Sequence, residues 1–228
     1  MMPTVFITGA SRGLGLEFAR QYAADGWRVI ATCRAPQGAH ALNALAGPVA
    51  IHPLDVREER SIKELAGRLA GTCIDILLLN AGVHLQKGAT LAELDAGLWL
   101  EELKVNMISP LMIARSFVDH VARSNQKRMV AISSNSGSIA RIKEGGNYAY
   151  RSGKAALNAV MRVLAADVAH REITVVAIGP GHTRTDMGGG NAAYSAAESV
   201  SAVRATIAGL QFKDSGGFLS RDGVPLAW

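Results

Sequence analysis

The sequence predicts an α/β protein whose sheet is doubly wound, with helices on both faces. Six apolar runs alternate with amphipathic stretches along the 228 residues. Several of these runs are apolar throughout, which is typical of parallel strands that are buried on both faces. A glycine-rich turn joins the first apolar run to the first amphipathic stretch. Strands that alternate with helices in this way form a mostly parallel sheet, because each crossover places a helix on one face.

The individual elements follow from these patterns. Strands are predicted at residues 5–8, 28–33, 49–54, 74–79, 128–133 and 174–178. Helices are predicted at residues 14–24, 61–70, 106–123 and 149–170, with another around residues 199–210. Right-handed crossovers favour the strand order 3-2-1-4-5-6, and a seventh strand near residues 217–219 extends it to 3-2-1-4-5-6-7. The three glycines at residues 188–190 form either a loop that covers a site or a plain connection.

Composition and cysteine usage limit the class of protein. With 49% hydrophobic and 19% charged residues, residues 1–228 are expected to form one globular domain. The net charge of +5 comes from scattered basic residues, which favours a solvated surface over nucleic-acid binding. Cys33 and Cys73 lack metal-ligand spacing and are expected to be buried free thiols in a reducing compartment. Since neither a signal peptide nor a membrane span is indicated, a cytoplasmic location is expected.

The segment TGASRGLG at residues 8–15 follows the first apolar run directly and opens the first helix. Such a turn presents backbone N–H groups and a helix N-terminus to an anion. Glycine is needed there because the backbone must turn tightly and approach a pyrophosphate closely. For this motif alone, a tight strand-to-helix turn without a ligand remains the alternative.

Tyr150 and Lys154 are spaced i, i+4 in a predicted helix, so they lie on one face, one turn apart. The phenol of a free tyrosine has a pKa of about 10, and an adjacent ammonium lowers that pKa by favouring the phenolate. Tyr150 is therefore a candidate general acid for a developing alkoxide, or a base in the reverse direction. Tyr148 competes for the role but has no lysine four residues later. Taken alone, the pair is more often a surface pair on an amphipathic helix.

Polar and turn-forming residues follow three further strands, at the edge where such sheets bind ligands. They are Ser134 after the fifth strand, residues 80–82 (Asn-Ala-Gly) after the fourth, and residues 180–181 (Pro-Gly) with Thr185 after the sixth. Asn106 is expected to open the next helix, with its side chain holding a water against Lys154. Each residue has a simpler interpretation as a turn residue, N-cap or strand-end hydroxyl. Their occurrence in order at successive strand ends favours a site.

With these motifs in this order, the chain resembles the short-chain dehydrogenase/reductase family from residue 4 to about residue 187 and onward. The segments at residues 148–158 and 184–189 are most similar to its C-factor-like, small carbonyl-reductase-type members. The resemblance implies a Rossmann-type NAD(P)-binding domain with its active site at the carboxyl ends of the strands. It also implies the following catalytic set: Tyr150 as acid–base, Lys154 as the ribose ligand that lowers the tyrosine pKa, Ser134 orienting the carbonyl and Asn106 completing a proton relay.

The resemblance further implies cofactor contacts around the glycine turn and the strand ends. The glycine turn holds phosphates and ribose, residues 55–56 contact the adenine, residues 80–82 lie on the adenosine side, and the segment after the sixth strand flanks the nicotinamide. The expected cofactor-binding residues are Gly9, Ser11, Arg12, Gly13, Leu14, Gly15, Arg34, Asp55, Val56, Asn80, Ala81, Gly82, Tyr150, Lys154, Pro180, Gly181, Thr183 and Thr185.

The chain departs from the family pattern at three places. Gly153 stands where members commonly have serine before the active lysine. The segment after Ser134 is longer than usual, which leaves Ser136 and Ser138 as alternatives to Ser134. The chain is short after the sixth strand, so any lid over a substrate is small.

The end of the second predicted strand indicates which nicotinamide cofactor is preferred. An acidic residue there would accept the adenosine 2′-hydroxyl and repel a 2′-phosphate, and residues 32–34 (Thr-Cys-Arg) contain none. Arg34 and Arg12 offer two guanidinium groups, which bind phosphate bidentately. We therefore expect NADP(H), with NADPH preferred over NADH. The alternative is that Arg34 is merely solvated and Arg12 caps the helix start.

The favoured function is that of an NADP-dependent oxidoreductase that reduces a small-molecule carbonyl to an alcohol, or the reverse. A catalytically silent nucleotide-binding regulatory or signalling protein of the same fold is the alternative, and a complete catalytic set argues against it. By position, the substrate pocket is lined by His84, Arg141, Tyr148, His182 and Met187. A homodimer or homotetramer is expected because two helices carry apolar residues on more than one face, namely Met112, Phe117, Ala159, Val163 and Ala166.

Overall fold

The computed structural model describes residues 2–228 and contains a seven-stranded sheet in which every strand pair is parallel. The strands are β1 (Thr4–Ile7), β2 (Arg28–Cys33), β3 (Val49–Pro53), β4 (Ile76–Leu79), β5 (Arg128–Ile132), β6 (Thr174–Gly179) and β7 (Phe218–Ser220). Their order in the sheet is β3-β2-β1-β4-β5-β6-β7, so the predicted order is confirmed. Strand bounds differ from the predicted ones by at most two residues.

Seven α-helices are present in the described part of the chain and cover both faces of the sheet. They are α1 (Gly13–Ala24), α2 (His40–Asn43), α3 (Glu59–Arg68), α4 (Ala96–Leu103), α5 (Ser109–Ala122), α6 (Tyr148–Asp167) and α7 (Ala196–Gly209). Successive side chains of a strand point to opposite faces, and β1 divides the core accordingly. Val5 packs in the cluster that includes residues of α1 and α7, whereas Phe6 packs in the cluster that includes residues of α3, α5 and α6.

The crossover direction reverses at β1, which lies between β2 and β4. In open α/β sheets the crevice at this switch point, outside the carboxyl ends of the strands, is where ligands bind. The turn from β1 to α1 occupies this place and is tied to β4, since the backbone N–H groups of Asn80 and Ala81 donate to Thr8 Oγ1 at 2.9 and 3.0 Å. The fold therefore brings the glycine turn beside the ends of the central strands.

The helix predicted at residues 106–123 is wrong at its start. Helix α4 begins ten residues earlier, at Ala96, and continues through a π-helical turn (Lys104–Ile108) into α5. Asn106 lies inside this turn and opens no helix, so the N-cap interpretation is wrong as well. A π turn inserts one extra residue, which shifts the helical phase and separates the apolar pattern of α4 from that of α5.

Two burial predictions are also corrected. Cys33 is buried, but Cys73 is exposed, because β4 begins only at Ile76 and Cys73 lies in the connection before it. Phe117 is fully buried against Phe6, with ring centroids 4.6 Å apart, so it contributes nothing to an outer apolar face of α5. Among residues 2–228, no helix combines the length and apolar character needed to cross a membrane.

Candidate active site

The glycine turn is packed too tightly for side chains at two of its positions. A Cβ on Gly15 would lie 2.2 Å from the carbonyl oxygen of Gly9 and 2.6 Å from Asn80 Nδ2. Gly9 itself has φ +68° and would place a Cβ 3.0 Å from the Cα atom of Ala81. The backbone of the turn thus lies directly on the end of β4, which leaves its outer side open to a ligand.

The side chain of Asn80, at the end of β4, holds this turn through two hydrogen bonds. Its Nδ2 donates to the carbonyl oxygens of Thr8 and Gly9 at 2.9 and 3.2 Å. Arg12 is the N-cap residue of α1, but its side chain makes no cap hydrogen bond and pairs instead with Asp186 at 3.1 Å. The alternative that Arg12 caps the helix start is therefore wrong. Of the remaining predicted contacts on this side, Ser11 is partly exposed, while Leu14 and Val56 pack against the two apolar clusters.

The groups around the end of β2 fit a dinucleotide that carries a 2′-phosphate. Arg34 is exposed, and none of the ion pairs of residues 2–228 includes it. The carboxylate of Asp55 is held by Arg57, at 2.7 and 3.0 Å, and these hydrogen bonds lower the pKa of Asp55. The Asp55 carboxylate thus has its own partner, and the exposed Arg34 guanidinium, which forms no ion pair with any described residue, can bind an anion.

Tyr150 and Lys154 lie on α6, and the lysine points into the protein. Lys154 is only 4% exposed, and its Nζ donates to the carbonyl oxygen of Ile132 at 2.8 Å. Burial lowers the pKa of Lys154 to about 8, so the ammonium form still dominates at neutral pH. Its Nζ lies 5.8 Å from the centroid of the Tyr150 ring.

The prediction that Lys154 lowers the pKa of Tyr150 is corrected. Burial raises the pKa of Tyr150 above its usual value, the charge of Glu102 raises it further, and only the Ser134 hydroxyl lowers it. Burial is the largest of these effects, because loss of water disfavours the charged phenolate. Tyr150 is therefore a phenol at neutral pH, which is the form that a general acid requires.

Of the three candidate serines, Ser134 is the one whose hydroxyl lowers the pKa of Tyr150. Its Oγ accepts a hydrogen bond from the backbone N–H of Ser136 at 3.1 Å, which leaves its own hydroxyl proton free to donate. Ser138 is buried and donates to the carbonyl oxygen of Trp228 at 3.3 Å. Ser136 lines a separate groove beside Tyr148. The geometry thus favours Ser134 over both alternatives.

The side chain of Asn106 is hydrogen-bonded to the backbone of Val83. Its Oδ1 accepts from the backbone N–H of Val83 at 2.9 Å, and its Nδ2 donates to the carbonyl oxygen of Val83 at 2.8 Å. An amide oxygen accepts two hydrogen bonds and an amide nitrogen donates two, so each atom keeps one position open, and the water expected against Lys154 stays a prediction. Asn106 fixes the segment after β4, and this segment lies beside Lys154, since a Cβ on Gly82 would be 3.7 Å from Nζ.

Two residues of this segment and its neighbour α4 complete the site. The His84 ring stacks on the Tyr150 ring with centroids 4.4 Å apart, in agreement with its predicted position in the pocket. Glu102 is fully buried, and its Oε2 accepts from the backbone N–H of Leu85 at 2.9 Å. Glu102 is absent from the predicted site residues, because a pair of glutamates in an amphipathic stretch is typical of a solvated helix face.

The segment after β6 reaches across the site. The Ser199 hydroxyl donates a hydrogen bond to the carbonyl oxygen of Pro180 at 2.6 Å, and the Thr183 hydroxyl donates one to the carbonyl oxygen of Gly181 at 3.2 Å. Gly181 has φ +81° and would place a Cβ 3.1 Å from the ring of Tyr194. These contacts hold the first residues after β6 in place.

Further along, the same segment contacts both the glycine turn and the segment after β4. A Cβ on Gly13 would lie 3.6 Å from Thr185 Cγ2, so the segment lies against the glycine turn. Lys87 Nζ, in the segment after β4, donates to the carbonyl oxygen of Met187 at 2.9 Å. Thr185 and Met187 therefore bridge the glycine turn and the segment after β4. The loop that covers a site stays a prediction for residues 188–190.

Gly153, the departure from the family pattern, is not required by packing. A Cβ at this helical position would meet Leu103 Cδ2 at 3.7 Å and Asn106 Cβ at 3.8 Å, which are ordinary van der Waals distances. There is therefore room for a small side chain at this position.

A glycine turn at the switch point of a parallel sheet is typical of nucleotide-binding α/β proteins. The family model for short chain dehydrogenases matches residues 3–195. The chain therefore belongs to the short chain dehydrogenase family.

Relatives and solved structures agree with this assignment. The chain is 32% identical to C-signal of Myxococcus xanthus over 155 residues, which cover 68% of this chain and 93% of that protein. It is similar to carbonyl reductase Sniffer of D. melanogaster, with a TM-score of 0.92, 31% identity and full coverage of both chains. An NADPH-bound carbonyl reductase from chicken fatty liver gives a TM-score of 0.92 at 32% identity, covering 100% of this chain and 99% of that one. These comparisons support the small carbonyl-reductase type.

Proposed function

We propose that this protein is an NADP(H)-dependent oxidoreductase that reduces a carbonyl compound to an alcohol, or catalyses the reverse reaction. One observation carries the proposal: the centroid of the Tyr150 ring lies 5.8 Å from Nζ of the buried Lys154, one helical turn along α6, at the sheet edge that holds the glycine turn. The test is turnover of a carbonyl panel with NADPH, and its loss in Tyr150→Phe.

In the proposed reaction Ser134 donates a hydrogen bond to the carbonyl oxygen, and Tyr150 gives its phenolic proton to the same oxygen as negative charge develops. A developing alkoxide is a far stronger base than a phenolate, so a raised pKa of Tyr150 does not hinder this transfer. When bound, the nicotinamide supplies the hydride. Lys154 binds the ribose hydroxyls through its remaining N–H groups, and Asn106 acts as a positioning residue through Val83.

The glycine turn and the strand ends would hold the cofactor. The N–H groups of residues 9–15 bind the pyrophosphate, residues 55–56 and 80–82 border the adenosine, and Pro180, Gly181, Thr183 and Thr185 border the nicotinamide. NADP(H) is proposed because a solved relative binds NADPH and because Arg34 offers a free guanidinium. Arg12 would exchange its exposed partner Asp186 for the cofactor phosphate.

The Arg34→Ala variant is expected to raise the KM for NADPH by about 10- to 100-fold, since a hydrogen bond to a charged group contributes about 1.5–3 kcal/mol. The KM for NADH should change by less than about threefold, because NADH has no 2′-phosphate. Arg60→Ala removes the same charge from the exposed surface of α3 and serves as the control. Equal losses with both cofactors would contradict a phosphate role for Arg34.

The silent regulatory alternative is less well supported, because a protein that only binds nucleotide needs no acid at Tyr150. We further propose that residues 1–228 act as one NAD(P)-binding domain and that the enzyme is cytoplasmic. The location rests on the two cysteines, both free thiols.

We propose a homodimer or homotetramer formed through α5 and α6. Ile108, next to α5, is 44% exposed, and Val163 on α6 is 62% exposed. Burial of such side chains against a second copy is favourable. A light-scattering mass of two or four chains is expected, and the mass of a single chain would contradict the proposal.

A further inference from the structure

Glu102 is a buried charge for which the proposed chemistry has no stated use. Its side chain is 0% exposed, and only Oε2 is hydrogen-bonded, to the backbone N–H of Leu85. Oε1 has no partner within residues 2–228. No lysine or arginine of that range forms an ion pair with it, although its neighbour Glu101 pairs with Arg57. A carboxylate in this position is costly, so a role at the site is a reasonable expectation.

The location of Glu102 connects it to the catalytic pair. Asn106 follows it by four residues along the continuous helical stretch, and both side chains hold backbone groups of the segment after β4. A Cβ on Gly82 would lie 3.2 Å from Asn106 Oδ1 and 3.7 Å from Lys154 Nζ, so both atoms lie beside Gly82. Glu102 therefore lies one helical turn from Asn106, whose side chain shares the surroundings of Gly82 with Lys154 Nζ.

We infer that Glu102 is a positioning residue, whose buried carboxylate acts on Tyr150 and Lys154 from behind the segment after β4. The inference rests on the proposed function. Through Leu85, the same carboxylate holds the segment that carries His84 onto the Tyr150 ring. One side chain thus sets both the electrostatics and the packing around the general acid.

The electrostatic directions agree with this assignment. Burial lowers the pKa of Lys154 and the charge of Glu102 opposes that fall, while burial and the charge of Glu102 both raise the pKa of Tyr150. Burial raises the pKa of Glu102 itself, while the backbone N–H groups of Leu85 and Gln86 and, less strongly, the charge of Lys154 lower it. The other titratable group facing this cluster is His84, whose pKa burial lowers, so it is neutral at pH 7; Lys87 acts on His84 from farther out.

The test is the pH profile of kcat/KM for NADPH-dependent reduction by Glu102→Gln. The amide oxygen of glutamine retains the bond to Leu85, so the packing is preserved and only the charge is lost. Without that charge the pKa values of Tyr150 and Lys154 both fall, and reduction requires both groups protonated. The basic limb of the profile should move to lower pH by about one unit, with kcat at the optimum reduced by less than about threefold.

Glu101→Gln is the matched control, because it removes the same charge from the adjacent residue, which is exposed. Its basic limb should coincide with that of the unmodified protein. A loss of kcat at every pH without displacement of the limb, or equal displacement in both variants, would overturn the inference.

A double-mutant cycle in urea unfolding gives a readout that requires no activity. Glu102→Gln is measured alone and together with Lys154→Met. If the two side chains interact, Glu102→Gln raises the unfolding midpoint more in the Lys154→Met background, where the carboxylate has lost its opposing charge. Additive midpoints would overturn the inference. Failure of the chain to reduce any carbonyl would instead count against the proposed function, and the cycle would still decide the role of Glu102.

Discussion

Tyr150→Phe is expected to lower the rate of carbonyl reduction by about 10²- to 10⁴-fold, the usual contribution of a general acid. The phenylalanine ring retains the stacking on His84 at 4.4 Å, so the shape of the site is unchanged and only the proton donor is lost. The affinity for NADPH, measured by quenching of protein fluorescence, should change by less than about threefold, because the hydroxyl contributes at most one neutral hydrogen bond to binding.

Tyr148→Phe is the matched control for this variant. Tyr148 begins the same helix two residues earlier, and its side chain is exposed. Its activity should equal that of the unmodified protein. If Tyr148→Phe were inactive and Tyr150→Phe retained turnover, the assignment of the general acid would be wrong.

Gly15→Ala is expected to weaken NADPH binding by about 10- to 100-fold, since relief of an overpacked contact costs about 1–3 kcal/mol. The added Cβ would lie 2.2 Å from the carbonyl oxygen of Gly9 and 2.6 Å from Asn80 Nδ2. Neither neighbour can move alone, because Asn80 Nδ2 is bonded to that same carbonyl and to Thr8. The turn must therefore shift as a unit, and its N–H groups move away from the pyrophosphate.

The comparison is Gly67→Ala, a helical glycine of α3 with no atom within 4 Å of its Cβ position. It should bind NADPH normally and unfold at a slightly higher temperature, because alanine favours a helix over glycine by about 1 kcal/mol. Normal NADPH affinity in Gly15→Ala would show that the turn does not hold the cofactor.

Much of the fold could be predicted because its signals are local. Continuous apolar runs mark strands buried on both faces, and the bounds of β2 (Arg28–Cys33) are those predicted. Once the strands and helices are placed, the handedness of crossovers determines the sheet order. The glycine turn could be predicted for the same reason, since glycines are needed where the backbone packs closely against its neighbours.

The predictions from the sequence were wrong where packing between distant segments determines the structure or the pKa. The π turn at Lys104–Ile108 joins two helical patterns that are out of phase, so α4 was missed and Asn106 was placed at a helix start. The pKa of Tyr150 depends on burial, which spacing on a helix does not reveal. Glu102 resembles any surface glutamate in the sequence, and only the packing of α4 onto the segment after β4 buries it.

The most direct test of the account is NADPH oxidation by the purified protein against a panel of aldehydes, ketones and 3-oxo esters, with the alcohol product identified by mass spectrometry. The account predicts that at least one carbonyl compound yields one equivalent of alcohol per NADPH consumed, and that the product disappears in Tyr150→Phe. Tight NADPH binding with no alcohol formed from any member of the panel would contradict it.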